Sequence, residues 1–435
     1  MSLILFVSLS VLIFVFLAAF SVASLTEKEY RAFSISAVLT AIFLLMHTGL
    51  VIFNPGWLWG MNLLYFFLVV LFFIPAASSD LVNLNPQPID ERDIMFARAR
   101  YQPGLRAYQD YYTRNPQKQK IDDQIRSLPD LLSPGGPYYD ERSASMAHLF
   151  FAETERLAQR AEGEPALEQT PLSPDDAAAQ LKSMARSLGA VDSGIARIRP
   201  EYLYTHIGRG QGVYGDPIDL DHPRALVFAV EMKYNRVRQA PKIAVTLESA
   251  EQYLQSAHIA VTVAEYIRSL GYPARAHIDG NYRLMLPGLA SDAGLGEIGR
   301  LGYLIHPRFG ARVRLAAVST TLPIAEDERR VFGVQDFCAI CKKCASNCPA
   351  GAISFGPKKN VRGVIKWSTC QEACYRYWRS IGTDCGLCMR ICPYSKPDTW
   401  THNLIRNRMA HSAPARRLGV YADDLFYGQR RYNRE

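Results

Sequence analysis

"FCAICKKCASNCPAG", residues 337–351, places four cysteines in eleven positions. A second run, "CQEACYRYWRSIGTDCGLCMRICP", residues 370–393, holds five more, and together these are all nine cysteines of a 435-residue chain. A disulfide framework explains the pattern poorly. Nine is an odd number, and no distant loop carries a cysteine to staple. Thiols crowded into one segment read as metal ligands.

The spacing says which metal. Cys338, Cys341, Cys344 and Cys348-Pro349 follow C-x2-C-x2-C-x3-C-P, the run found in two-cluster bacterial ferredoxins, and Cys385, Cys388 and Cys392-Pro393 repeat its second part. In such a run three cysteines wrap one face of a cubane and the fourth ligates the other cluster. One [4Fe–4S] cluster is therefore expected on Cys338, Cys341, Cys344 and Cys392. The other is expected on Cys348, Cys385, Cys388 and either Cys374 or Cys370. Zinc favours two separated pairs of ligands, so iron is the better reading. Two clusters make an electron wire, and its terminal must lie elsewhere in the chain.

The first charged residue is Glu27, and none follows Arg31 until Asp80. The second apolar stretch breaks at "NPGW", residues 54–57. Three membrane spans are predicted, roughly 3–24, 32–53 and 57–78, each near the ~20 apolar residues a spanning helix needs. The start lacks the basic residues of a cleaved signal peptide, and no twin-arginine signal is found. Lys28 and Arg31 follow the first span, and Arg92, Arg98 and Arg100 follow the third. Basic loops stay in the cytoplasm, so the catalytic part is expected on the cytoplasmic side of the inner membrane. His47, the lone ionisable group of the second span, reads as locally hydrogen-bonded. The formal charge of +8 is not gathered into any nucleic-acid-binding motif, and no nucleic-acid partner is expected.

The soluble chain mixes helices and strands. Residues 173–190 read as a capped helix, 224–232 as a strand and 246–272 as a long amphipathic helix. "ARAHIDGNYRLML" suggests a hairpin turning at Asp279-Gly280, and "RVRLAAVST" another strand. The predicted class is α+β: a membrane anchor (1–79), an irregular lead-in (80–170), a catalytic domain (171–330), a two-cluster ferredoxin-like domain (331–400) and a C-terminal tail (401–435). Two stretches match G-x-G-x-x-G, at 210–215 and 294–299. Neither follows a clear strand, and the second lacks the acid a ribose would want, so a nicotinamide fold is rejected.

"SPDDAAAQLKSMARSLGAVDSGIARIRPEYLY", "ALVFAVEMKY", "SDAGLGEIGRLGYLIHPRFGARVRLAAVSTTLPI" and "CYRYWRSIGTDCGLCMRICPYS" resemble, in order, blocks of the corrinoid iron–sulfur reductive dehalogenases. The resemblance runs from about residue 92 to 400. It implies a nitroreductase-like core binding a cobalamin whose lower ligand is detached, with cob(I)alamin breaking a carbon–halogen bond. It favours Cys374 over Cys370 as the eighth ligand. It implies Tyr253 as proton donor, Asn281 and Arg314 as its partners, Trp378 as a pocket wall, and Gly294, Gly296 and Gly299 as points of close approach to the corrinoid. The expected partners are an organohalide, membrane lipid, and a donor such as reduced ferredoxin, flavoprotein or quinol. Respiratory members of the family carry an export signal and use a separate anchor protein, whereas here the spans are fused. Two other functions compete: an epoxyqueuosine-reductase-like enzyme acting on tRNA, and a non-catalytic electron-transfer subunit. Tyr253, the "CYRYW" block and the apolar spans argue against the first. The second predicts no cobalt.

Overall fold

The computed structural model describes residues 2–53 and 57–428. Residues 54–56 of the expected break and residues 429–435 of the expected tail lie outside the described residues. The chain opens with helices α1 (Ser2–Thr26), α2 (Tyr30–Phe53) and α3 (Trp57–Phe73). Within the first two, Ser8–Thr26 and Tyr30–Gly49 are long and apolar enough to cross a membrane. The third expected span is corrected: α3 has 17 residues and stops at Phe73 rather than 78. Pro75 follows, and the residue before a proline is pushed out of the helical region. His47 shares a 2.8 Å hydrogen bond with the Phe43 carbonyl and stacks against Phe43 and Tyr65.

The expected irregular lead-in is also corrected. Residues 106–126 form two helices, and α4 (Glu141–Ala158) follows. Asp140 caps α4 by accepting from Ser143 N at 2.9 Å. α5 (Pro174–Ser187) is capped in the same way by Ser173.

Four strands build the main sheet: β1 (Asp192–Arg197), β2 (Arg224–Glu231), β3 (Ala274–His277) and β4 (Val313–Thr320). Their spatial order is β1-β2-β4-β3, and every neighbouring pair is antiparallel. The run "ALVFAV" in β2 is apolar throughout because both faces of the strand are covered. Leu226, Phe228 and Val230 pack beneath α4, α5 and the 26-residue α6 (Ala244–Ser269). Ala225, Val227 and Ala229 face the helix at Leu286–Asp292. The hairpin expected at Asp279-Gly280 does not form. β3 pairs with β4 instead, and the chain after the turn enters the Leu286–Asp292 helix.

The cysteine segment contains α7 (Val334–Cys341) and α8 (Gln371–Ile381). It shares one apolar cluster with Met232, Val237 and Val245 of the core that carries the main sheet. The expected tail is helical: α9 (Trp400–His411) and α10 (Ala413–Tyr427). Both pack on the apolar amino-terminal helices.

The turn between α1 and α2 is fastened to the core. Arg238 donates to the Glu27 carbonyl at 2.7 Å, and Tyr234 OH to Glu29 Oε1 at 2.8 Å. The Glu27 side chain is 8% exposed and lies 3.7 Å from His402 Nδ1, and its carboxylate has no hydrogen-bond partner among the described residues. Burial, then Glu29, pushes its acid from the ordinary 4.5 up to about 7, against the pull of Lys396 and Arg406. A raised acid contributes stability that is complete below pH 4.5 and lost as pH rises through about 7. Glu27→Gln should flatten the fall in thermal midpoint across that window. A slope unchanged by the substitution refutes the assignment.

Candidate functional site

A cavity of about 420 Å³ lies between the main sheet, α6 and the cysteine segment. Tyr253 and Arg314 line it, as do Trp378, Arg209, Asp279 and Tyr303. α6 presents Thr246, Ser249 and Tyr253 on one face through the three- and four-residue spacing of a helix. The Arg314 guanidinium, from β4, lies 4.8 Å from the centre of the Tyr253 ring. It donates to Ser249 Oγ at 2.6 Å and stands 3.7 Å from Asp384. Its Nε is buried and has no hydrogen-bond partner among the described residues. Asp384 in turn accepts from Thr246 and Ser249 at 2.5 and 2.6 Å.

Burial raises the Tyr253 phenol above its ordinary 10.0. Arg314 pulls the other way, while Asp279 and Asp384 add to the rise. The phenol therefore keeps its proton at neutral pH, and the cation moderates the shift without reversing it. Burial likewise raises the Asp279 acid, against Arg209, Arg314 and Arg100.

The thiols fall into two groups. Cys348, Cys374, Cys385 and Cys388 line the cavity, with Cys370 also on its wall. Cys338, Cys341, Cys344 and Cys392 do not line it. Mutual electrostatic influence follows the same division with one crossing. Among the thiols, Cys338 responds to Cys392, and Cys344 to Cys338 and Cys392 and then to Cys388 of the other group. Cys385 responds to Cys374 and Cys348, and Cys388 to all three of its group. Cys370 is exposed and sits 3.8 Å from Glu372. Among the described residues no three His, Cys, Asp or Glu side chains are grouped to hold a single metal ion. A cubane spreads its thiolates around four irons, which is a wider arrangement.

Four expected site residues are placed differently. Asn281 is 1% exposed but does not line the cavity. Its Oδ1 accepts from Gln211 N and Arg275 Nη2, both at 3.2 Å, which ties loop 208–212 to the sheet. Asp279, two residues earlier on the same turn, takes the cavity position. Gly294, Gly296 and Gly299 also stand outside the cavity wall. A Cβ at Gly294 would lie 2.7 Å from the Glu328 carbonyl oxygen, and one at Gly296 2.4 Å from that of Ile305. One at Gly299 would lie 2.7 Å from the Ile305 side chain. These glycines admit neighbouring protein. Leu301 to Leu304, just beyond them, line the cavity. Sequence reasoning missed Asp384, Asp279 and Arg209. Asp384 had one local signal, its place directly before Cys385.

Residues 337–396 match a 4Fe-4S dicluster domain. The chain is 36% identical over 192 residues to a tetrachloroethene reductive dehalogenase of Desulfitobacterium hafniense, covering 42% of this chain and 34% of that one. It is 28% identical over 286 residues to the tetrachloroethene reductive dehalogenase of Sulfurospirillum multivorans, covering 58% of this chain and 57% of the relative. Among solved structures it is similar to a catabolic reductive dehalogenase in complex with 3-bromo-4-hydroxybenzoic acid, with a TM-score of 0.67 and 26% identity over 82% of this chain and 49% of that one. A reductive dehalogenase described as performing B12-dependent dehalogenation matches at a TM-score of 0.65 and 25% identity, over 82% of this chain and 49% of that one. The chain thus spans between about a third and three-fifths of these relatives' own lengths.

Asn281→Ala removes a buried acceptor from two donors. It should lower the unfolding free energy by about 1–3 kcal/mol in chemical denaturation. A variant as stable as the parent would take Asn281 out of the scaffold.

Proposed function

We propose that this chain, which belongs to the reductive dehalogenase family, is a membrane-anchored enzyme that removes halide from an organohalide. Two [4Fe–4S] clusters held by the cysteine segment would supply electrons to a corrinoid held in the cavity. The observation that carries this reading is that five cysteines, four of them at ferredoxin-like ligand positions, line the same cavity as Tyr253 and Arg314.

The residues fit the clusters. Burial pushes the thiols of Cys338, Cys374 and Cys385 up to about 12, so bare thiols there would stay protonated. Iron supplies the positive charge that makes them thiolates. We assign Cys338, Cys341, Cys344 and Cys392 to one cluster and Cys348, Cys374, Cys385 and Cys388 to the other. A corrinoid would be held in this cavity, between the thiols of Cys348, Cys374, Cys385 and Cys388 and the Tyr253 phenol. A corrinoid bound there supplies the electron pair that breaks the carbon–halogen bond.

The balance is R–X + 2 e⁻ + H⁺ → R–H + X⁻. Tyr253 gives the proton from its phenol oxygen, and Arg314 stabilises the phenolate left behind. The Arg314 Nε is a further donor toward substrate or halide. Phe96 and Trp378, with ring centres 5.8 Å apart, wall the site and keep water out. The anchor reads as three spans, with α3 at the short limit. The first turn and the end of α3 meet the soluble part on one side, and Lys28, Arg31 and Arg92 put that side in the cytoplasm. Reduced ferredoxin, a flavoprotein or quinol are the candidate donors.

Anaerobically purified protein should contain cobalt and about eight irons per chain, as two four-iron clusters require. Zinc in place of iron, or no cobalt, overturns the proposal. Cys374→Ser should lose about half the iron while Cys370→Ser keeps it all; the reverse pattern exchanges the two ligands. Tyr253→Phe should retain both metals and lose halide release by about 10²–10⁴-fold. Full activity in that variant removes Tyr253 from the chemistry.

A further inference from the structure

We infer that α9 and α10 lie in the plane of the membrane interface, with their outward faces against lipid. The inference rests on the reading that α1 and α2 cross a bilayer, and it adds a second, in-plane contact to that anchor.

α10 is inside-out for a helix in water. Its inward face carries Arg416 and Asp423, 5% and 6% exposed. Asp423 is paired with Lys343 and with Lys396, the latter at 3.3 Å. Its outward face carries Leu418, Tyr421 and Leu425, which are 55%, 72% and 49% exposed. They recur at steps of three and four and so form one stripe. α9 shows the arrangement in its first two turns, where Thr401, His402 and Arg406 point inward while Trp400 and Leu404 stand out; further along, Met409 and Ala410 are buried. A water-facing helix exposes its charges and buries its apolar stripe. Here the sides are exchanged.

The membrane helices continue this surface. Trp400 meets Phe16 of α1 edge-on at 5.9 Å, and Phe426 meets Phe20 at 5.0 Å. Arg31, at the start of α2, donates to the Leu425 carbonyl at 3.1 Å. The Arg408 guanidinium lies 4.6 Å over Phe73, the last residue of α3. The Arg31 and Arg408 contacts fall where the apolar helices end, which is the level of the headgroups, while Phe20 and Phe16 lie about two and three turns further into α1, toward the acyl chains. Trp and Tyr are the aromatic residues that gather at that level. Arg31, Arg408 and Arg417 beside the stripe suit anionic headgroups.

The test places a photo-crosslinking residue singly at Leu418, Tyr421, Leu12 or Leu149 of the full-length protein. The protein is reconstituted in phosphatidylcholine vesicles containing phosphatidylglycerol. Leu12 is an exposed residue of α1, and Leu149 an exposed residue of α4 far from the apolar helices. Lipid adducts should form at Leu418, Tyr421 and Leu12, and not at Leu149. Adducts at Leu12 with none at Leu418 or Tyr421 overturn the inference and leave the anchor standing. No adduct at Leu12 overturns both. Protein adducts in place of lipid at Tyr421 overturn it in favour of a partner chain.

Discussion

A single buried carboxylate, Asp384, holds the site together. It sits directly before Cys385, accepts from Thr246 and Ser249 on α6, and faces Arg314 on β4. Burial alone raises its acid, and Arg314 and the two hydroxyls act against that rise. A buried charge stripped of its partners costs about 3–5 kcal/mol. The three elements therefore keep their positions together or lose them together. One knot fixes the thiol loop, the helix bearing Tyr253 and the strand bearing Arg314. The distance from the cysteines to the Tyr253 phenol is thus a property of the fold and not of any flexible loop.

Two buried arginines make the second joint. Arg312 is fully buried and donates to the Ser395 carbonyl at 2.7 Å, beside Cys392 in sequence. Arg300 donates to the Cys338 carbonyl at 3.0 Å and to Ser354 at 2.8 Å, and stacks on Trp367. Guanidinium forks satisfy several carbonyls at once, which suits loops that have few backbone partners of their own. Around them Met232 and Val245 of the core that carries the main sheet pack in the same cluster as Phe337 and Tyr394. The boundary expected near residue 331 separates two sequence patterns that share one interior.

The cysteine pattern was legible because ligand spacing is local: a loop of fixed length wraps one cluster. The long helix bearing Tyr253 and the doubly buried β2 were legible from apolar periodicity. The turn at Asp279 was not. A turn signal says that the chain reverses, but tertiary packing decides whether Asp279 or Asn281 faces the cavity. Gly294, Gly296 and Gly299 misled because close backbone approach looks the same in sequence whether the neighbour is cofactor or protein. Helices in the Tyr- and Pro-rich lead-in were hidden because their buried faces rest on few residues, such as Tyr111, Tyr112 and Ile125, set among charged ones, and on caps such as Asp140. The exchanged faces of α10 could not be seen without knowing which side met Lys343.

The fastening of Glu27 and Glu29 to Arg238 and Tyr234 makes the anchor a bracket instead of a leash. The core that carries the main sheet cannot swing on a slack linker, so its height and tilt follow those of the α1–α2 hairpin. On the proposed reading of that hairpin as a membrane anchor, whatever reaches the cavity meets it at a single set elevation.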